Sequence, residues 1–227
     1  MKRTVRAFDH FLCRRQGVFV FWDNPDCLFR AQTTRASRTI VLPGTEIPAG
    51  VKVLGLHFWN EHIPRIPPEG PSFAQAVRGR RMIVSTFRAL AREMRHDPRM
   101  EGIQALGGAT VLFAAGDGSS GEKLFTRLGF TVSPHRNPLG HFGEFWENLY
   151  TWALMWAYNA VSLRQRRLLA LHRTESWIAS GEFLRRYDTV KNPPQNASDQ
   201  QPHEAPALTE KPVHNTHHAD ADASGGY

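Results

Sequence analysis

The segment VKVLGLHFW at residues 51–59 is the feature that most constrains the fold. Successive residues of a strand point to opposite faces of its sheet, so the segment divides into two rows. One row is Val51, Val53, Gly55, His57 and Trp59, and the other is Lys52, Leu54, Leu56 and Phe58. Both rows are largely apolar, as in strands that are buried on both faces. We therefore expect a central strand whose sheet is covered on both sides.

The rest of residues 1–190 alternates between strand and helix patterns. Strands are predicted at CLFRAQ, SRTIVLPG, ATVLFAA and FTVSP, with PGTEIPAG as a tight connection and GIQALGG as a turn or short strand. Apolar spacing predicts a helix from the N-cap Ser72 to RHDP, and EKLFTRL predicts a short helix capped by Gly129. A long helix is expected over 141–171, and ESWIASGEFLRRY is expected to be a last helix with Thr174 as its N-cap. This alternation predicts a single α/β or α+β domain over residues 1–190.

Residues 191–227 differ in composition from the rest. They contain almost no Leu, Ile, Val or Phe, and they are rich in Pro, Asn, Gln, Ser, His and Asp. Such a segment buries too little apolar surface to offset its chain entropy, so we expect a disordered tail. Its two Lys and five acidic residues give it a net charge of −3. It also holds four of the eleven His, which we interpret as solvated side chains rather than as a metal-binding tail.

The remaining residues are strongly basic. The whole chain carries a formal charge of +7, so residues 1–190 carry +10 once the −3 of the tail is removed. This charge favours an anionic partner such as a phospholipid or a phosphorylated ligand, although a solvated cationic surface explains it equally well. Nucleic acid is not expected, because the basic residues are dispersed and no helix-turn-helix, zinc-finger or RRM pattern is present. The spacing of Cys13 and Cys27 matches neither a metal site nor a disulfide framework.

The sequence predicts neither a signal peptide nor a membrane span. MKRTVRAFDHFLCRRQ lacks a continuous apolar region, and no run reaches the ~18 apolar residues that a span requires. We expect a cytoplasmic protein, in peripheral contact with the anionic surface of the inner membrane. The helix expected at 141–171 has a wide apolar sector that includes Trp146, Trp152 and Trp156. That pattern fits a core helix packed on the sheet, and it also fits a helix that lies in a bilayer surface.

His57, Asn60 and Glu61 form the best candidate catalytic site, because they lie where the central strand ends and ligand sites in open sheets often lie at strand ends. A histidine can serve as a general base near neutral pH, a nearby carboxylate can orient it, and the Asn60 amide can donate to an oxyanion. The alternative is that His57 and Asn60 cap backbone groups while Glu61 is solvated. No metal site is expected, because the five-residue spacing of His57 and His62 beside prolines does not suit zinc.

Arg78 and Arg80, in the stretch RGRR, are candidate contacts for the phosphate groups of a bound ligand. Their guanidinium groups suit phosphate, and Arg80 interrupts the apolar stripe of the predicted helix. The alternative is a solvated basic face of that helix.

Two stretches resemble GNAT-type N-acyltransferases. ATVLFAAGDGSSGEKLFTRLGFTV has the order strand, loop, short helix, Leu-Gly-Phe and strand of their C-terminal half, and AVRGRRMIVSTFRALAREM resembles their acyl-CoA loop and helix. The resemblance implies a GNAT-like mixed sheet flanked by helices, with acyl-CoA as the donor. Two departures count against ordinary acetyl transfer. Arg81 and Ile83 stand where the family's loop has small residues, and the stretch lies inside the helix predicted from Ser72, where backbone N–H groups are not free to bind phosphate. Phe125 stands where the family often has a tyrosine that serves as general acid.

Most of residues 20–190 also resembles the YkoP-like domain. The shared features are the pattern G-x-x-I-x-x-G-x-K-V-x-x-L-H-F-x-N at 44–60, the later LGF, and HRTESWIASGEFLRRY at 172–187. This bacterial domain occurs alone or beside polysaccharide deacetylase domains, so the resemblance implies a cell-envelope context.

These observations support two hypotheses of different classes. The first is a diverged acyltransferase that acts on an amine or hydroxyl of an envelope lipid or glycan, with His57 as base, Asn60 as stabiliser and Arg78 or Arg80 as phosphate contact. The second is a non-catalytic accessory domain for envelope polysaccharide or lipid metabolism, which the altered loop and Phe125 favour. The sequence leaves open whether the chain is an enzyme, and it indicates no oligomeric state.

Overall fold

A computed structural model of the chain describes residues 2–64, 72–111, 120–135, 137, 140–158, 160–163 and 173–188. The tail predicted at 191–227 lies outside the described residues. The helices are α1 (Lys2–Arg15), α2 (Phe73–His96), α3 (Ser120–Arg127), α4 (Gly140–Tyr158) and α5 (Ser180–Tyr187), with short 3₁₀ helices at Pro98–Met100 and Ala160–Leu163. The strands are β1 (Phe29–Arg35), β2 (Ile40–Leu42), β3 (Thr45–Ile47), β4 (Lys52–Phe58), β5 (Ala105–Thr110), β6 (Thr131–Pro134) and β7 (Thr174–Ala179). The fold is mixed α/β, as the alternating patterns predict.

Five strands form one mixed sheet in the order β1-β4-β5-β7-β6. β4 and β5 run parallel, whereas the other neighbouring pairs are antiparallel. β4 has a neighbour on each side, so the prediction of an interior strand from its two apolar rows is confirmed. β2 and β3 pair separately as a hairpin, so PGTEIPAG, predicted as a tight connection only, contains the short strand Thr45–Ile47. Gly44 makes this turn with a φ of 75°, a conformation that glycine adopts without steric cost.

The alternation of side chains gives the sheet two different faces. The first, the core face, carries Phe29, Leu54, Leu106 and Ile178, all buried against residues of α2, α3 and α5. The second, the cavity face, carries Arg30, Gln32, Gly55, His57, Gly107 and Trp177. Helices α1 and α4 lie over the cavity face. Gln32 donates to the Gln16 carbonyl at the end of α1, and Arg173 donates to Thr151 of α4.

Helix α2 begins and ends where its sequence predicts. Ser72 accepts from the Gln75 amide at 3.3 Å, and the Gln75 side chain accepts from the Ser72 amide at 2.8 Å, which completes a capping box. The fully buried Phe87 lies at the centre of its apolar stripe. Four aromatic rings from other elements lie 5.1–5.5 Å from the Phe87 ring, namely Phe29, Phe130, Phe183 and Tyr187. This aromatic cluster joins α2 to the sheet and to α5.

The segment ESWIASGEFLRRY is not a single helix, which corrects the prediction. Its first part belongs to β7, which pairs with β5 on one edge and with β6 on the other, and only Ser180–Tyr187 is helical. Thr174 is therefore buried in a strand, and Ala179 precedes α5 without a side-chain capping bond. Pairing along both edges outweighs the local helical spacing, because strand formation depends on cross-strand neighbours more than on intrinsic preference.

Three other boundaries differ from the predictions. β5 covers Ala105–Thr110, so it begins four residues before the strand predicted at ATVLFAA and includes Gly107 and Gly108 of GIQALGG, which are poor strand formers by propensity. Helix α4 ends at Tyr158 and a 3₁₀ helix follows, so the uninterrupted helix expected over 141–171 was wrong at this point, and residues 164–171 lie outside the described part. Helix α1 was not predicted. Within the described residues, no helix is long and apolar enough to cross a membrane.

Candidate functional site

A cavity of about 480 Å³ lies between the cavity face of the sheet and the two helices α1 and α4. Its lining includes the apolar side chains of Leu12, Val111, Leu154 and Met155. Its polar lining includes Asp9, Arg30, Gln32, His57, Asn60, Tyr150, Tyr158 and Arg173. A largely apolar cavity of this size with a few convergent polar groups is typical of a small-molecule site.

The cavity reaches the carboxyl ends of the central parallel strands. The ladder between β4 and β5 pairs Val53–Gly55 with Ala105–Gly107, and each strand then continues for three residues that line the cavity. Carboxyl ends of strands in open α/β sheets are common sites of ligand binding. The structure therefore places the predicted strand-end site beside a cavity that could hold a ligand.

His57 lies on the cavity face, and its Nε2 lies 2.8 Å from the Gln32 side-chain oxygen. Burial lowers the pKa of His57, and the positive charge of Arg30 lowers it further, while the charge of Asp9 acts in the opposite direction. His57 is therefore neutral at neutral pH. With the Nε2 proton donated to Gln32, the Nδ1 lone pair is the one that can accept a proton.

Asp9 is the acidic centre of the cavity, although it belongs to a basic helix. Its side chain is 4% exposed, and it accepts hydrogen bonds from the Tyr150 hydroxyl at 2.7 Å and from the Tyr158 hydroxyl at 3.4 Å. Burial raises the pKa of Tyr150, and the hydrogen bond to Asp9 and then the Asp9 charge raise it further. Burial and the charges of Glu61 and Asp9 raise the pKa of Tyr158. Both phenols therefore stay protonated and act as hydrogen-bond donors.

Arg30 and Glu61 form an ion pair at one edge of the cavity. The Arg30 guanidinium lies 3.2 Å from Glu61 and 4.8 Å from the centre of the Trp59 ring, and only 8% of Arg30 is exposed. Glu61 also accepts from Tyr158 at 3.2 Å and lies 3.2 Å from Nε2 of His10, so it contacts these side chains rather than His57. The Nε of Arg30 is buried and has no hydrogen-bond partner among the described residues.

The other predicted site residues divide between the cavity and the opposite side of the sheet. Asn60 lines the cavity together with His57. Arg78 and Arg80 are exposed on α2, which packs on the core face, so the structure does not bring them to the cavity. Phe125 is buried in the core. His62 stacks on Trp59 and bonds to the Cys27 carbonyl at 2.8 Å, which gives it a structural role.

Cys13 also lines the cavity, but it is not a ready nucleophile. Burial and then the nearby Asp9 charge raise the pKa of its thiol, although Arg30 acts in the opposite direction. The reactive form of a cysteine is the thiolate, which these surroundings disfavour at neutral pH.

Two glycines of β5 bring the strands close enough to shape the cavity. A Cβ on Gly107 would lie 2.2 Å from the Ser176 carbonyl oxygen and 2.5 Å from the Trp177 ring, and a Cβ on Gly108 would lie 2.5 Å from the Leu56 oxygen. The Trp177 ring therefore rests directly on the Gly107 backbone and forms one wall of the cavity. Its indole N–H donates to the buried Glu175 at 3.0 Å, which holds the ring in place.

Glu175 belongs to a polar cluster next to this wall. It lies 2.5 Å from Nδ1 of His135 and 2.7 Å from Arg38. Burial raises its pKa, but the hydrogen bonds from His135 and Trp177 and the charge of Arg38 outweigh burial and hold the pKa below its usual value. The cluster thus pairs the Glu175 carboxylate on several sides and supports Trp177. Among the described residues, no group of three His, Cys, Asp or Glu side chains is placed to hold a metal ion.

Sequence reasoning missed Asp9, Arg30, Tyr150 and Tyr158, which form the polar side of the cavity with His57. One signal was available, since Asp9 is the single acidic residue in the fourteen residues of α1. An isolated acid in a basic helix suggests a buried partner. The tyrosines carry no such signal, because they stand in a helix that is rich in aromatic residues.

A family model of the YkoP domain matches residues 22–187. The chain belongs to the YkoP domain family. The match begins before β1 and ends at the last residue of α5, so the YkoP domain of this chain contains the whole mixed sheet and His57. Helix α1, which contributes Asp9 and Cys13 to the cavity, precedes the matched residues. Comparison with curated proteins and with solved structures gives no significant match.

Proposed function

We propose that this YkoP domain binds an activated acyl donor in the cavity and transfers the acyl group to an amine or hydroxyl of an envelope lipid or glycan. The observation that carries the proposal is the neutral, desolvated His57 in a largely apolar cavity at the carboxyl ends of the two parallel strands. The order β5, α3, β6 supports it as well, because it matches the order of elements in the GNAT-like resemblance.

The chemistry requires a base, a donor for the oxyanion and a place for an apolar chain. The acceptor hydroxyl or amine loses its proton to Nδ1 of His57 as it attacks the acyl carbonyl. The new C–O or C–N bond forms, the bond to the leaving group breaks, and His57 returns the proton to the leaving group. The Asn60 amide can donate a hydrogen bond to the oxyanion. The Tyr158 hydroxyl can do the same, because its hydrogen bonds to Glu61 and Asp9 are long, at 3.2 Å and 3.4 Å.

The residues fit the acyl part of an acyl-CoA better than its nucleotide part. Leu12, Leu154 and Met155 can contact an acyl chain. Among the described residues that line the cavity, only Arg30 and Arg173 carry a positive charge that suits the phosphates. Arg78 and Arg80 lie on the helix that covers the other face. Acyl-CoA is therefore a donor to be tested.

The test measures binding and turnover on the full chain. A ligand at ~100 times its dissociation constant adds ~2.7 kcal/mol to the free energy of unfolding. For a domain of this size the melting temperature should rise by about 5–10 °C with the acyl-CoA that fits. Free thiol release in the presence of amine and hydroxyl acceptors then reports transfer. His57→Gln should bind but not release thiol, whereas His96→Gln, on the exposed end of α2, should behave as wild type.

A second function, that of a non-catalytic binding domain, is favoured by one specific observation. Arg78–Arg81 lie within a regular helix, so this stretch does not form the loop with which GNAT-type enzymes bind acyl-CoA. A thermal shift without thiol release would support this alternative. The absence of any shift with short- or long-chain acyl-CoA would refute CoA-dependent transfer.

A further inference from the structure

The outward face of α4 is apolar and exposed. Phe142 is 70% exposed, Trp146 53%, Phe145 41% and Trp152 36%. Their spacing of three, four and seven residues places them on one side of the helix, together with Leu149 and Trp156. The charged residues Glu144 and Glu147 lie on other sides of the helix. A folded domain seldom exposes a row of large aromatic side chains unless that row binds something.

Helix α1 extends this aromatic face. Phe8 and Phe11 are 52% and 57% exposed, with ring centres 6.5 Å apart. The Phe8 ring lies 6.3 Å from that of Tyr150, and Trp146 stands one helical turn before Tyr150 on α4. The aromatic residues of the two helices thus form one continuous surface, which we call the α1–α4 face.

The charged residues that α1 exposes beside this face are basic. Helix α1 carries Lys2, Arg3, Arg6, Arg14 and Arg15, while its single acid, Asp9, is buried and points toward the cavity. Arg14 and Arg15 follow Phe11 by three and four residues, so they flank the exposed rings. Lys2 lies 5.5 Å from the centre of the Trp156 ring. Aromatic rings flanked by cations are the pattern of helices that lie in the headgroup region of a membrane.

We propose that the α1–α4 face binds the surface of a bilayer that contains anionic phospholipid. The aromatic rings enter the boundary between headgroups and acyl chains, and the arginines of α1 contact the lipid phosphates. A second copy of the chain fits this face less well. Symmetric pairing would bring two basic α1 helices together, and like charges in contact oppose association. This proposal goes beyond the acyl-transfer proposal and does not depend on it.

The α1–α4 face and the cavity share the residue Tyr150. Tyr150 belongs to both, since its ring contacts Phe8 and its hydroxyl donates to Asp9. When the domain binds a bilayer through this face, α1 and α4, which cover the cavity, therefore lie against the lipid.

The experiment is flotation of the full chain with phosphatidylcholine vesicles and with equimolar phosphatidylcholine–phosphatidylglycerol vesicles. We expect binding to the anionic vesicles, weakened by salt, with quenching of tryptophan fluorescence by brominated lipid. Phe11→Ser/Trp146→Ser should abolish binding. Arg14→Gln/Arg15→Gln should weaken it about tenfold or more. All four positions are exposed, so folding should be unchanged, and circular dichroism checks this.

Matched controls remove the same residue types from other surfaces. Phe73→Ser/Val41→Ser replaces apolar side chains that are 86% and 66% exposed, and Arg88→Gln/Arg92→Gln removes two charges from α2. Both controls should bind as wild type. The proposal would be overturned if the control variants lost as much vesicle binding as the α1–α4 face variants. It would also be overturned if the chain bound pure phosphatidylcholine vesicles as well as anionic ones, or if the folded chain did not float with either. A dimer that Phe11→Ser/Trp146→Ser dissociates, without vesicle binding, would assign the face to a second copy instead.

Discussion

Gly107→Ala should destabilise the domain strongly, whereas Gly79→Ala should stabilise it. The added methyl at residue 107 would lie 2.2 Å from a carbonyl oxygen and 2.5 Å from the Trp177 ring, so β7 or the ring must move. Overpacking of this kind costs about 3 kcal/mol when backbone is involved. At Gly79, inside α2, a methyl meets nothing within 4 Å, and alanine is better than glycine in a helix by about 1 kcal/mol.

These free energies correspond to measurable changes in thermal unfolding. For a domain of this size about 1 kcal/mol shifts the melting temperature by about 2–4 °C, so Gly107→Ala should lower it by about 6–12 °C. Gly79→Ala should raise it by about 2–4 °C. Circular dichroism and urea unfolding would measure both. A melting temperature of Gly107→Ala within a degree of wild type would refute the close packing of Trp177 on β5, and with it the shape of the cavity wall.

Two further predictions concern His57 and the buried Thr86. The pKa of His57 is lower in the folded chain than in the unfolded chain. The contribution of His57 to stability is therefore present above the pKa of the unfolded chain, and it is lost as pH falls through the pKa of the folded chain. His57→Gln should therefore flatten the stability profile below pH ~6.5, and an unchanged profile would show that His57 is not desolvated. Thr86 accepts from the Leu28 amide at 3.1 Å and donates to the Asp26 carbonyl at 3.2 Å. Thr86→Val should cost about 1–3 kcal/mol in urea unfolding, and a cost near zero would mean that water replaces these bonds.

Local patterns predicted the elements that are held by local interactions. The capping box at Ser72, the apolar stripe that follows it and the glycine turn at Gly129 all depend on neighbours within a few residues, and the structure confirms them. β4 was predictable because two apolar rows require cover on both faces. β7 was not, since its strand conformation depends on pairing with β5 and β6, which are distant in sequence.

The candidate site likewise contains residues that one segment of sequence indicates and residues that only the folded chain brings together. The sequence alone indicated His57 and Asn60, because polar residues at the end of a buried strand stand out in a single segment. It could not place Asp9 beside them, because the bond from Tyr150 to Asp9 joins residues 141 positions apart. Nor could it place Arg78 and Arg80 on the side of the sheet opposite the cavity.

The amino-acid sequence thus determined the α/β class, the interior strand, the helix after Ser72 and the family to which the chain belongs. Only the tertiary structure decided which side chains meet. Periodicity specifies which residues of an element are apolar, but the order and direction of the strands specify which elements share a face. That order places α1 and α4 together over His57, and it brings Asp9, Arg30 and two tyrosines to one cavity.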